Sequence, residues 1–162
     1  MVRPPPLLAL VFLVNAAWAH DPGLGTTQLT FGPGGLDLVA GYAPADLKPL
    51  LHLKPTENPN WTQADFAAVE ARLLQLAPQL WKISSPGAAL APDAVRTELT
   101  AGNTISFELH YSIPPSGSLT IESGVMDRLP PGHRDFLSAA DDRGGLVFER
   151  LIDAQSGRIP LR

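Results

Sequence analysis

The stretch TISFELHYS, residues 104–112, carries the clearest strand signal in the chain. Its apolar and polar residues alternate, and a period of two puts the apolar ones on one face of a strand. His110 lies on the opposite, polar face. The apolar face is formed by Ile105, Phe107, Leu109 and Tyr111.

Similar short segments flank this strand. Residues 26–31 and 36–42 are joined by GPGG and predict a hairpin, and residues 135–139 and 145–152 flank the turn DDRG and predict another. Short strands separated by Pro/Gly turns favour a mainly β fold, an antiparallel β-sandwich. The predicted core comprises Leu38, Phe66, Leu73, Ile105, Phe107, Leu109, Leu119, Phe136, Val147 and Leu151.

One segment has a helical period. Thr62 and Asp65 are spaced as in a capping box, with Asp in place of the usual Glu or Gln. The apolar residues that follow predict one inserted amphipathic helix, from Thr62 to Ala77, which lies against the sheet. Pro78 is expected to end it.

The beginning of the chain has the features of a secretory signal. Arg3 precedes the apolar run LLALVFLV, and Ala17-Trp18-Ala19 places small residues where signal peptidase cleaves. The run is far shorter than the ~20 apolar residues of a membrane-spanning helix. We therefore expect residues 1–19 to be removed, leaving a single domain, 20–162, in the periplasm or outside the cell.

Composition excludes several classes of function. The chain has no cysteine, so it forms no disulfide and no thiolate metal site, and its net charge of −4 does not suit a nucleic-acid partner. No second apolar stretch is long enough to span a membrane. No nucleophile elbow, zinc-protease motif, P-loop or dinucleotide fingerprint occurs, so no catalytic residue is assigned and an enzyme is not expected.

Cleavage before His20 would create a possible metal ligand. An N-terminal histidine offers both its α-amine and its imidazole, as in CopC-like copper carriers and brace-type oxidases, and nitrogen ligands suit copper or nickel. His133, after Pro-Pro-Gly, is the preferred partner; His110, expected beneath the helix, and His52 are the others. The alternative is that His20 only marks the cleavage site.

Two further motifs resemble a known family. AHDPGL (residues 19–24) and RLPPGHRDFLSAADDRGGLVFERLIDA (residues 128–154) are similar to the extracytoplasmic N-terminal domain of HupE/UreJ-like membrane proteins. The resemblance implies a sandwich-like domain, a membrane-protein partner and a link to nickel handling. The family's helical membrane module does not follow in this sequence, so we expect a stand-alone, non-enzymatic binding or accessory domain.

The resemblance also interprets the segment before the helix as a degenerate EF-hand-like loop. Aligning Asp65 with the last ligand position puts Lys54 at the first, Thr56 at the third, Asn58 at the fifth and Pro59 at the glycine. Calcium needs several oxygen ligands and a sharp turn. A cation at the first position and a proline at the turn predict that this loop does not bind calcium.

Overall fold

Two β-sheets enclose one hydrophobic core in a computed structural model that describes residues 23–55, 58–86, 88–113 and 118–161. Strands are numbered here in chain order. The larger sheet has the order β5-β6-β2-β1-β8-β9 and the smaller one the order β10-β7-β3-β4. The predicted class, mainly β and sandwich-like with one inserted helix, is confirmed.

The larger sheet contains most of the strands that the sequence predicted. It consists of β1 (Leu24–Gly32), β2 (Gly35–Tyr42), β5 (Ala94–Leu99), β6 (Ile105–Tyr111), β8 (Arg134–Ala140) and β9 (Leu146–Ile152). Both predicted hairpins, β1–β2 and β8–β9, are present.

The smaller sheet and the helices complete the described fold. The sheet consists of β3 (Trp81–Ser85), β4 (Ala88–Leu90), β7 (Thr120–Ser123) and β10 (Ile159–Pro160). The helices are α1 (Pro44–Leu47), α2 (Gln63–Leu80) and a 3-10 turn (Met126–Arg128).

One strand pair departs from the predicted antiparallel pattern. β1 pairs in parallel with β8, from Leu24 opposite Arg134 to Thr30 opposite Ala140, whereas the other pairs among the described strands are antiparallel. A short hairpin turn forces antiparallel pairing. The chain between β1 and β8 passes through both sheets, so no such constraint acts on this pair.

Helix α2 begins as predicted and ends later. The Thr62 hydroxyl accepts a hydrogen bond from the Asp65 amide, and the Asp65 carboxylate accepts one from the Thr62 amide at 2.8 Å, which completes the capping box. The expectation that Pro78 ends the helix is wrong, because α2 continues to Leu80. Proline removes one helical hydrogen bond, but the last turn buries Ala77 and Leu80 in the core, which offsets that loss.

The predicted core is correct except at three positions on the β8–β9 hairpin. Phe136, Val147 and Leu151 are 40%, 50% and 48% exposed. The inward face of β8 instead carries Asp135 and Leu137. The predicted orientation of β8 was wrong because an aspartate within an apolar run suggests that its face of the strand points to solvent. The confirmed core positions are Leu38, Phe66, Leu73, Ile105, Phe107, Leu109 and Leu119.

Candidate functional site

A buried carboxylate holds the first described residue in place. Asp46, in the one-turn helix α1, is 2% exposed, and each of its oxygens lies 3.1 Å from the Gly23 amide that donates to it. The Arg134 amide donates to the Gly23 carbonyl at 2.9 Å. Gly132, with a φ of 84°, turns the chain immediately before β8. Helix α1 and the loop before β8 thus fix the start of β1 from two sides.

His133 lies inside this corner. It is 3% exposed, its Nδ1 is 3.6 Å from Asp46 Oδ2, and its ring stacks on Tyr42 with centroids 5.9 Å apart. Burial lowers the pKa of His133, and the Asp46 carboxylate offsets part of that effect. The imidazole is therefore neutral at neutral pH, the form in which histidine binds a metal.

Asp135 also contacts Tyr42 and is 0% exposed. Its Oδ2 accepts a hydrogen bond from Thr27 Oγ1 at 3.2 Å. Burial raises the pKa of Asp135 to about 7, although the nearby hydroxyls of Tyr42 and Thr27 offset part of that effect. We call Thr27, Tyr42, Asp46, His133 and Asp135 the buried polar cluster.

A close approach of β1 to this cluster requires a glycine. A Cβ atom on Gly25 would lie 2.7 Å from Asp135 Oδ2 and 2.9 Å from Tyr42 Cε1, closer than real Cβ atoms come to other atoms. Only a residue without a side chain lets β1 lie this near to the acid. The beginning of β1 therefore forms one wall of the cluster.

The structure places His110 at the far end of β2 from His133. Its Nδ1 is 2.7 Å from Asp37 Oδ1, and its side chain is 38% exposed, so the expectation that it lies beneath α2 is wrong. His133 contacts Tyr42, five residues after Asp37 in β2, which separates the two histidines by about 17 Å. They do not form one site, and the His52 residue is exposed. His20 lies outside the described residues.

The loop that resembles an EF-hand has other partners for its oxygens. The buried Lys48 donates from Nζ to the Asn58 carbonyl at 3.3 Å, and Asn58 Oδ1 accepts a hydrogen bond from the Asn60 amide at 3.0 Å. Asp65 belongs to the capping box of α2, and Thr56 lies outside the described residues. The side-chain oxygens of Asn58 and Asp65 are therefore already bonded within the protein.

A group of apolar side chains is exposed on the outer face of the larger sheet. Phe136 lies opposite Leu151 in β9, and Leu24 in β1 lies on the same face opposite Arg134, two residues before Phe136. Leu24 is 36% exposed, and Arg134, its partner across the β1–β8 pair, is exposed on the same face. We call Leu24, Phe136 and Leu151 the hairpin patch. Exposed apolar patches rimmed by polar residues are a feature of protein-binding surfaces.

The described residues contain neither a metal-binding cluster nor a membrane-spanning helix. Within residues 23–55, 58–86, 88–113 and 118–161, no group of three or more His, Asp or Glu side chains is arranged to hold a metal. In the same part of the chain, no helix combines the length and apolar character needed to cross a membrane.

The chain matches no known protein-family model and shows no significant similarity to a curated protein. Sequence reasoning singled out His133 but missed Thr27, Tyr42, Asp46 and Asp135. Asp135 had a usable signal, because it shares the period-two face of Leu137 and Ala139. Asp46 had none, because a turn aspartate is normally exposed.

Proposed function

We propose that this chain is an exported, non-enzymatic binding or accessory domain, similar to the extracytoplasmic domain of HupE/UreJ-like proteins, that contacts a membrane-protein partner. The hairpin patch is the observation that carries this proposal. Its three apolar side chains are 36–48% exposed on one sheet face, with Phe136 and Leu151 directly opposite each other. Burying them against a partner would gain free energy that the isolated domain does not use.

The chemistry of the patch restricts the partner. Arg134 is exposed beside Leu24 and forms no ion pair with another described residue. The complementary segment is a protein loop with apolar side chains for the patch and a carboxylate for Arg134. Glu149 and Arg150 are exposed on the edge strand β9, and charges on an edge discourage strand addition. The partner therefore binds the sheet face and not its edge.

A photo-crosslinking amino acid at position 136 tests the patch. We expect it to give a discrete adduct with one membrane protein in the producing organism, identified by mass spectrometry. Leu74 on α2 supplies the matched control, because it is 38% exposed against 40% for Phe136. The same probe at position 74 should give no such adduct.

Two outcomes would contradict the proposal. One is the absence of any adduct at position 136, and the other is the same adducts at positions 136 and 74. A charged substitution gives a second measurement: Phe136→Asp should remove the adduct formed by a probe at Leu151, whereas Leu74→Asp should leave it unchanged. Both substituted side chains are exposed, so neither variant should unfold the domain.

A second candidate function, copper or nickel binding through His20, is favoured by the anchoring of Gly23. Asp46 and Arg134 fix Gly23 beside His133. Three residues of chain span at most about 11 Å, so His20 has access to the surroundings of His133. Asp46 lies on the Nδ1 side of the His133 ring. Carboxylates in that position commonly orient a metal-binding histidine.

This candidate predicts one Cu(II) bound per chain that begins at His20. One extra residue before His20 moves the α-amine away from the imidazole, so the chain loses one of its direct metal ligands. The affinity for the metal should therefore fall by more than the 10–100-fold that is typical when a group that only orients a ligand is lost. Asp46→Asn should weaken binding by about 10–100-fold. Calorimetric titration with Cu(II) and Ni(II) measures both effects. Affinity should also rise with pH, because the amine and imidazole must lose protons.

His52→Ala is the control for this titration, because His52 is exposed and lies outside the buried polar cluster. It should leave the affinity unchanged. Equal, weak binding by the processed protein and the extended variant would rule the site out and leave His20 as the product of signal cleavage. That result would not affect the hairpin patch, which contains no histidine.

A further inference from the structure

Exposed apolar side chains are concentrated at one end of the larger sheet, around the hairpin patch. Seven large apolar side chains among the described residues are 36–61% exposed, and five of them belong to β1, β8 and β9. Single exposed apolar side chains are common on protein surfaces, whereas a group of them is a feature of binding surfaces. The five are Leu24, Phe136, Leu146, Val147 and Leu151.

Two opposite charges flank the apolar pair Phe136–Leu151 on the outer sheet face. Arg134 precedes Phe136 by two residues in β8, and Glu149 precedes Leu151 by two residues in β9. Residues two apart share a face of a strand, so both charges lie on the face of the apolar pair. Because β8 and β9 are antiparallel, the two charges lie on opposite sides of the pair, about 14 Å apart.

Neither charge is neutralised within the described part of the chain. Arg134 and Glu149 are both exposed, and the ion pairs among the described residues include neither of them. The separation of about 14 Å is too large for them to pair with each other in one chain. Each charge is therefore available to a charge of opposite sign on another molecule.

This order of charges makes the surface complementary to a second copy of itself. A two-fold axis through the centre of the Phe136–Leu151 pair, parallel to the sheet and perpendicular to its strands, exchanges the two sides of the pair. Arg134 of one copy then faces the Glu149 side of the other, and symmetry forms the same contact again. The remaining offset is one strand spacing, about 4.8 Å, which these two long side chains bridge.

The other half of the same sheet face does not match the patch. Val39 is the exposed apolar side chain there, at 44%. Asp37 precedes it by two residues in β2, and Glu108 lies opposite it in β6. Charged side chains therefore flank Val39, and this half offers no apolar surface to Phe136 of another copy. Two copies match patch to patch, which gives a closed dimer.

The size of the surface sets the strength of this contact. Three strands about 4.8 Å apart and about 20 Å of their length give about 300 Å² per copy. The total of about 600 Å² is below the 1,200–2,000 Å² of typical stable complexes. Association through this surface is therefore weak and depends on protein concentration.

We propose that two copies of this chain associate face to face through the hairpin patch, with Arg134 of each copy paired with Glu149 of the other. The dimer follows from the self-complementary surface and does not depend on the proposed function. Its consequence does rest on that function: because the dimer covers the patch, it competes with the membrane-protein partner. A partner that binds more tightly than the second copy separates the dimer by mass action.

Sedimentation equilibrium of the purified protein, from about 10 μM to about 1 mM, tests the dimer. The average mass should rise from that of one chain towards that of two. Arg134→Glu and Glu149→Arg each place like charges opposite each other, so each single variant should remain monomeric. The double variant Arg134→Glu/Glu149→Arg restores opposite charges in reversed order and should dimerise like the wild type.

Phe136→Asp should abolish the dimer, and Leu74→Asp is its matched control, since these side chains are 40% and 38% exposed. The control should dimerise like the wild type, and circular dichroism verifies that each variant is folded. A wild type that is monomeric at every concentration, or a double variant that stays monomeric beside a dimeric wild type, would overturn the proposal. Dimerisation with charge-swap rescue but without a membrane-protein adduct at position 136 would support the dimer and contradict only the proposed function.

Discussion

Replacing Leu73 with alanine should lower the free energy of unfolding by about 2–5 kcal/mol, the usual cost of removing a fully buried leucine side chain. Leu73 is 0% exposed on the face of α2 that packs into the core. Alanine has the higher helix propensity, so the helix itself is preserved and the loss reports packing alone. Urea denaturation followed by circular dichroism measures the change.

Leu74→Ala is the matched control, since the adjacent leucine is 38% exposed. Its effect should remain within about 0.5 kcal/mol. The two variants differ only in the face of the helix that they alter. Equal losses would mean that α2 does not present the face described here, and the sandwich with its inserted helix would be incorrect.

Asp135→Asn should make the domain more stable relative to the wild type as pH rises. The folded wild type holds a proton on Asp135 up to about pH 7, whereas the unfolded chain releases it near pH 3.8. The contribution of Asp135 to stability is therefore complete below pH 4 and is lost as pH rises to about 7, by at most about 4 kcal/mol. Asparagine cannot ionise and does not show this loss.

Denaturation curves of both proteins from pH 4.5 to pH 8.5 measure the difference. His133 acts in the opposite direction, because its lowered pKa reduces stability as pH falls below about 6.5, but it is present in both proteins. Asp93→Asn is the control, since the pKa of exposed Asp93 is lowered by the Ser112 amide and its effect should be constant above pH 5. A constant difference for Asp135→Asn as well would contradict the buried-acid assignment.

The hairpin patch shows where sequence patterning reaches its limit. In β6 the alternation was unambiguous, because one face is entirely apolar and the other polar, and the structure confirms it. In β8, Phe136 lies on one face of the strand, and Asp135, Leu137 and Ala139 lie on the other. Hydrophobicity favoured burial of the face with Phe136, but the fold buries the face with Asp135. An alternating sequence defines two faces of a strand, and only packing against the second sheet decides which face is buried.

Local chemistry by itself determined most strands of the larger sheet and the beginning of α2. The capping box of Thr62 and Asp65, the period of α2, the Gly/Pro turns and the alternation of β6 each act within a few residues, so the sequence alone predicts them. The helix end at Leu80, by contrast, depends on the burial of its last turn in the core. The resemblance to HupE/UreJ-like domains also rests on local motifs, and it remains a proposal.

Tertiary structure alone decided the parallel pairing of β1 with β8 and the buried polar cluster. Thr27 and Asp135 are separated by 108 positions in the chain, and Gly23 and Asp46 by 23. No local pattern encodes such contacts, because they depend on which strands become neighbours after both sheets have formed. The pKa of Asp135 follows from the same cause: burial by distant residues, and not its own sequence context, keeps a proton on this acid.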